Sequence, residues 1–137
     1  TCIGVDVIVG FPGETDSDFL ATYEFLSSID ISYLHVFSYS ERRNTDAYHY
    51  INHVSKKNKS ERSKTLHSLS NEKRHTFYNK FLNQKRKVLY EGIKNGKVIG
   101  HTDNYVRVEV EPNAQLINSV QHTRLLNNLG NSLSGSI

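Results

Sequence analysis

One cysteine, two prolines, and no methionine or tryptophan in 137 residues leave this chain short of the parts from which cross-linked or metal-rich scaffolds are built. Cys2 has no partner for an internal disulfide, and one thiolate cannot hold a zinc or iron-sulfur site, so neither is expected of this chain alone. No apolar run approaches the roughly 20 residues that cross a bilayer, which argues against membrane insertion and makes a cytoplasmic location the expectation. The chain opens in mid-pattern on Thr1, as a piece of a longer polypeptide would. With 36% apolar residues it can bury a modest core.

What is present is organised around the stretch Val5-Asp6-Val7-Ile8-Val9-Gly10-Phe11-Pro12-Gly13-Glu14-Thr15. An apolar, β-branched run broken by Gly and Pro-Gly predicts a buried parallel strand covered on both faces, then a tight turn. Thr15 and Asp18 have the spacing of a helix-capping pair, and Phe19, Tyr23, Leu26 and Ile29 share a stripe, so a helix is expected from Asp16 to about Ile29. A second strand, Tyr33 to Tyr39, completes a right-handed βαβ unit. In an α/β barrel the C-terminal ends of such strands carry the active site, so Arg42 and Arg43 in the following loop could meet a phosphate or carboxylate, or form an ordinary solvated loop. His49 and His53 lie four apart but have no third ligand nearby in sequence, which argues against a metal.

Charge is strongly segregated. Residues 56–87 hold eight lysines and three arginines against Glu61 and Glu72, a net +9 in a chain of net +3, which leaves −6 elsewhere. That imbalance points to a polyanion. The basic stretch is expected to be helical to Lys87, capped by Ser55 or Ser60. Its thin apolar line, Leu66, Leu69, Lys73, Phe77 and Phe81, predicts a helix lying on a surface and linking two domains. Its cations read equally as phosphate contacts or as a solvated face. From about residue 87, short strands separated by Asn95-Gly96 and Thr102-Asp103 turns predict a five-stranded OB-like barrel. Tyr105, Arg107 and Glu109 should share its open face, and Val106, Val108 and Val110 its core. A further strand is expected from Gln115 to Leu126, and the Asn-, Ser- and Gly-rich tail either frays or closes the barrel.

The stretches Asp6 to Thr15, His35-Val36-Phe37-Ser38-Tyr39-Ser40-x-Arg42-x-x-Thr45-x-Ala47 and Glu61-Arg62-Ser63 resemble the C-terminal half of the radical SAM methylthiotransferases. The barrel resembles the TRAM domain that follows in those enzymes. Gly100 to Val108 is most similar to the branch that methylthiolates threonylcarbamoyladenosine beside the tRNA anticodon. The implied fold is an α+β chain in three parts: the last βα units of a partial TIM-like barrel over 1–54, a basic linker helix over 55–86, and a TRAM-like β-barrel over 87–137. The resemblance implies S-adenosylmethionine and two [4Fe-4S] clusters in the full-length enzyme, each cluster held by three cysteines. Those triplets are not in this sequence, so no catalytic residue, no metal ligand and no activity are expected of these residues alone.

By the same resemblance, Ile8, Gly10, Val36 and Phe37 flank the adenosine of the cofactor, and Glu14 braces the turn. Expected RNA contacts are Arg42, Lys73, Arg74, Lys85, Arg86, Lys97, His101, Tyr105 and Arg107, with Tyr105 stacking on an unpaired base or packing beside a neighbouring strand. The expected partners are the tRNA anticodon arm, the N-terminal remainder of the same protein, and further copies joined through exposed strand edges. Arg43-Asn44 stands where the family usually has Pro-Gly, and Ser38 where Pro is frequent. Rival functions are a non-catalytic RNA-binding module and the branches acting on isopentenyladenosine in tRNA or on a ribosomal-protein aspartate.

Overall fold

The computed structural model describes residues 1–137 and divides them into two units, Ile3–Glu72 and Lys73–Ile137 with Thr1–Cys2. In the first, β1 (Gly4–Val9), α1 (Asp16–Ser28) and β2 (Tyr33–Ser38) form a strand-helix-strand unit. The strands pair in parallel with Gly4 opposite Tyr33 and Val9 opposite Ser38. α1 starts as its capping pair predicts: Asp18 N–H donates to Thr15 Oγ1 (3.1 Å) and Thr15 N–H to Asp18 Oδ2 (3.0 Å). That backbone hydrogen bond holds the Asp18 carboxyl below the usual carboxylate range.

Val5, Val7 and Val9 alternate toward the helices and pack with Leu26, Leu34, Leu66 and Leu69. The opposite face, with Asp6, Ile8, His35 and Phe37, is exposed. The expected cover on both faces is therefore not found within this chain. Helices lie on one side only, and on the other Asp6 and His35 (Oδ1 to Nδ1, 3.0 Å) interrupt the apolar run.

α2 (Lys56–Asn79) starts with Ser55 Oγ accepting from Asn58 N–H at 3.2 Å. One face of it is buried more deeply than its composition predicts. Leu66 is fully buried, and Ser70 reaches Leu34 on β2, accepting from its N–H and donating to its C=O, both at 2.9 Å. The helix ends at Asn79, short of the expected Lys87, because the chain leaves through turns and Asn83 adopts a left-handed conformation with φ 66°. Lys85 and Arg86 consequently stand on a strand.

The second unit is a closed barrel of β3 (Lys85–Lys94), β4 (Lys97–Thr102), β5 (Arg107–Val110), β6 (Val120–Asn128) and β7 (Leu133–Ser136), in the order β3-β4-β5-β7-β6. Its core gathers Val88, Tyr90, Val98, Val106, Val108, Leu125 and Leu133, with Phe77 and Tyr78 from the end of α2. Burial raises the Tyr90 pKa, and its hydroxyl pairs with Thr123 Oγ1 at 2.6 Å. Asn95 and Gly96 both take positive φ, 50° and 74°, as the tightest hairpin turn requires. The strand expected from Gln115 begins at Val120, because Asn113 Oδ1 accepts from Gln115 N–H and caps a 3-10 turn over Ala114–Leu116. The tail closes the barrel: β7 pairs in parallel with β5 and antiparallel with β6. Closure leaves the barrel no unpaired edge, which removes the basis for self-association through its strands.

Ser70 satisfies two backbone groups that no strand reaches. Ser70→Ala is expected to cost about 1–3 kcal/mol, the penalty of a buried amide without a partner, and to speed hydrogen exchange at the Leu34 amide. Unchanged exchange there would contradict the assignment.

Candidate functional site

At the C-terminal ends of β1 and β2 a cleft of about 400 Å³ opens. Ile8, Phe11 and Phe37 give it apolar walls, while Ser38, Ser40 and Arg42 bring polar groups. Ile8 and Phe37 are 58% and 52% exposed, unusual for such side chains and a consequence of the uncovered sheet face. Phe11 is held edge-on by Tyr39 (centroids 5.3 Å apart) and Tyr50 (6.2 Å). The Arg42 carbonyl accepts from Thr45 N–H (3.2 Å) and Thr45 Oγ1 (2.7 Å), which turns the loop back beside the cleft. Ile8, Phe37 and Arg42 are thus brought together. Gly10 and Val36 are not: Val36 packs on the helix side, and Gly10 is buried with its N–H donated to Glu14 Oε1 at 2.9 Å.

The turn that shapes this cleft is clamped from α2. Arg62, only 6% exposed, donates from Nη1 to Glu14 Oε1 (2.6 Å) and the Glu14 carbonyl (3.1 Å), and from Nη2 to Asp16 Oδ1 (2.8 Å). Burial disfavours the guanidinium charge, but the hydrogen bonds it donates to Asp16 and Glu14 outweigh that and raise the Arg62 pKa. One helical turn earlier, the Lys59 stem lies against Gly10 so closely that a Cβ there would sit 2.1 Å from Lys59 Cγ. Gly10, at φ +79°, therefore serves close approach as well as the turn. The Tyr39 hydroxyl is buried without a hydrogen-bond partner.

On the barrel, the predicted cations are held by acids. Arg86 pairs with Asp103 (3.0 Å) over the Phe81 ring, and Lys97 pairs with Glu111. The Arg86 hydrogen bond holds the Asp103 carboxyl below its ordinary range. Arg107 Nη2 lies 3.9 Å from Glu109 while its Nε is buried without a partner. Lys85 is exposed on β3, opposite Arg124 of β6. Lys73 and Arg74 are half-buried on α2.

His101 Nδ1 lies 2.8 Å from Glu91, which the irregular register between Tyr90 and Gly92 leaves out of the ladder. Tyr105 stacks on the His101 ring, centroids 4.8 Å apart and planes within 16°. It does not share the strand alternation expected of it. It precedes β5 in a turn, at φ 64° and 62% exposed, fixed by its N–H donating to the Thr102 carbonyl (3.0 Å) and by Val106 N–H donating to Thr102 Oγ1 (2.9 Å). A non-glycine residue in that region is uncommon and is kept there by its surroundings.

Arg62 stands in a motif that carries the resemblance, but its role, like those of Lys59 and Ser70, was missed by sequence reasoning because the partners lie 36 to 48 residues away or are backbone atoms. Arg62→Met, which leaves Glu14 half-buried beside an apolar side chain, is expected to destabilise residues 3–72 by about 3 kcal/mol or more. Arg62→Lys should recover only part, since an ammonium cannot reproduce the two-pronged fork. Equal stability of the three proteins in urea would contradict the clamp.

No family model matches the chain. It is 40% identical over 109 residues to threonylcarbamoyladenosine tRNA methylthiotransferase MtaB of Aquifex aeolicus, covering 80% of this chain and 26% of that protein. The protein of the same name in Bacillus subtilis is 32% identical over 126 residues, 88% of this chain and 28% of its own length. The tRNA-2-methylthio-N(6)-dimethylallyladenosine synthase of Maricaulis maris is 34% identical over 137 residues, 98% of this chain and 30% of its own. The chain spans between a quarter and a third of the length of these relatives. It belongs, on the strength of matches that run through both its units, to the methylthiotransferase family.

Proposed function

We propose that this chain is the C-terminal part of a tRNA methylthiotransferase acting on threonylcarbamoyladenosine. In this reading residues 3–72 belong to a TIM-like barrel that holds S-adenosylmethionine, and the β-barrel is a TRAM-type module that grips the anticodon arm. The observation that carries the reading is the 40% identity to an enzyme named for that nucleoside. The Maricaulis relative, which matches 98% of the chain, favours the dimethylallyladenosine branch as a second reading.

The cleft fits the cofactor's adenosine. Its volume of about 400 Å³ lies within the usual range for small-molecule sites. Ile8, Phe11 and Phe37 offer apolar surface to a flat base, and Ser38, Ser40 and Arg42 offer donors to a ribose or carboxylate. When bound, S-adenosylmethionine supplies the radical chemistry, and these residues orient it and keep water from it. An iron-sulfur cluster does not fit: Cys2 is the only thiol, and no three His, Cys, Asp or Glu side chains gather. No helix is long and apolar enough to cross a membrane.

On the barrel, Tyr105 presents a stacking surface for an unpaired base beside His101 and Arg107, and the cations Lys73, Arg74, Lys85, Arg86 and, at the far end of β4, Lys97 add phosphate contacts. The ion pairs on Lys97 and Arg86 are exposed and therefore weak, so a phosphate can replace the acid.

Fluorescence anisotropy with anticodon stem-loops carrying threonylcarbamoyladenosine, dimethylallyladenosine or plain adenosine tests this. Tightest binding to the first is expected, weakening steeply with salt. Tyr105→Ala should lower affinity about 5- to 150-fold, the effect of one stacked base, with the salt dependence unchanged. Preference for the second RNA would move the assignment to that branch, and salt-insensitive binding, or none at millimolar protein, would overturn RNA recognition. Given iron and sulfide under anaerobic conditions, this chain by itself should assemble no cluster and consume no S-adenosylmethionine. Iron and sulfide bound at cluster stoichiometry would refute that.

A further inference from the structure

Beside the aromatic cleft, between the end of β2 and the first turns of α2, lies a second depression of about 450 Å³. Lys56, Lys59 and Lys64 line it together with the hydroxyl-bearing Ser38, Ser60 and Ser63. We propose that it is a phosphate-binding subsite that takes a backbone phosphate of RNA, holding the strand alongside the cofactor cleft. This rests on the RNA reading above and adds to it a site in residues 3–72.

Three features support the assignment. The lysines and serines of α2 recur every three or four residues and so share one face of the helix. No carboxylate lines the depression, and the nearby acids are engaged elsewhere: Glu61 lies 4.0 Å from Lys57, and Glu14 and Asp16 are taken by Arg62. Lys59 is also fixed in advance. Its stem is wedged on Gly10, its ammonium lies 3.4 Å from the Tyr39 carbonyl and 5.9 Å from the centre of the Tyr39 ring, and the carbonyl accepts only one of its three donors. A lysine ordered in this way loses less rotamer freedom on binding than an exposed one.

The adjacency indicates a nucleic-acid strand rather than a free anion. Ser38 and Tyr39 line both depressions, so an apolar aromatic cleft and a cationic one share a wall. A strand held here by a backbone phosphate would carry its bases past the mouth of the cofactor cleft. Ammonium and hydroxyl donors suit phosphate oxygens and read no base, so the subsite fixes position, not sequence.

Backbone-amide NMR of the whole chain tests this with two probes, an anticodon stem-loop RNA and inorganic phosphate. The RNA should shift the amides of Ser38, Ser60 and Ser63, and inorganic phosphate should shift the same amides only at much higher concentration. In K56Q/K64Q, two exposed substitutions, these shifts should vanish, and the slope of log affinity on log salt should fall by about 0.7 for each phosphate no longer neutralised. In Lys94→Gln, an exposed substitution at the end of β3, they should persist. RNA shifts confined to the barrel strands would overturn the subsite and leave the RNA reading standing. Shifts with inorganic phosphate but not RNA would assign the site to a small phosphorylated ligand and overturn the proposal. No RNA-induced shift anywhere would overturn both.

Discussion

The buried guanidinium of Arg62 is the constraint on which the first unit depends. It must be paired, because a charge removed from water without partners costs several kcal/mol, and the acids that pair with it are Glu14 on the turn after β1 and Asp16 at the start of α1. Glu14 answers it with the same oxygen that accepts from Gly10 N–H, so one carboxylate ties the helix, the turn and the end of the strand into a single network. Ile8 and Phe11 stand on either side of Gly10 in the chain. Their presentation to the cleft therefore follows from an ion pair neither of them touches.

The same network explains why α2 misleads when read for composition. Its sequence is strongly polar, and a helix of that kind is expected to meet water along most of its circumference. Yet two of its polar residues, Arg62 and Ser70, are as buried as its leucines, because each satisfies groups on distant segments. Hydropathy averages over neighbours in sequence and cannot register a serine whose partners are a strand's N–H and C=O. The Thr15-Asp18 cap, the Asn95-Gly96 turn and the alternation of Val106, Val108 and Val110 were legible because every atom involved lies within a few residues. The closing strand was legible only as one of two alternatives for the tail, fraying or closing. Leu133 to Ser136 offers one large apolar side chain among small ones, and its parallel pairing with β5 spans more than twenty residues of chain. Of the candidate cleft, Ile8 and Phe37 came from the family resemblance and Arg42 from its place after a strand end, whereas Phe11 and Tyr39 emerge only once the turn is folded.

Net charge is equally incomplete as a guide to where a polyanion could sit. The +9 run between residues 56 and 87 contains cations in very different states. Arg62 is committed to acids inside the fold, and Arg86 holds Asp103 on the barrel surface. Lys56, Lys59 and Lys64 line a depression that no acid enters. Counterion release rewards the last group most, since a phosphate arriving there displaces only mobile ions and water, whereas at Arg86 or Lys97 it must also displace a carboxylate.

Ion pairs on the barrel still have a use beyond stability, which exposed pairs barely provide. Asp103 and Glu111 pair with Arg86 and Lys97 and so fix where their charged ends lie, and Glu91 orients the imidazole against which Tyr105 stacks. A phenol ring supported from behind, on a backbone fixed in the left-handed region by Thr102, loses little freedom when a base settles on it. The barrel would then draw its selectivity for unpaired bases from stacking on a pre-set ring, with its paired cations supplying alignment. The greater part of the salt-dependent attraction would fall to cations that no carboxylate has already claimed.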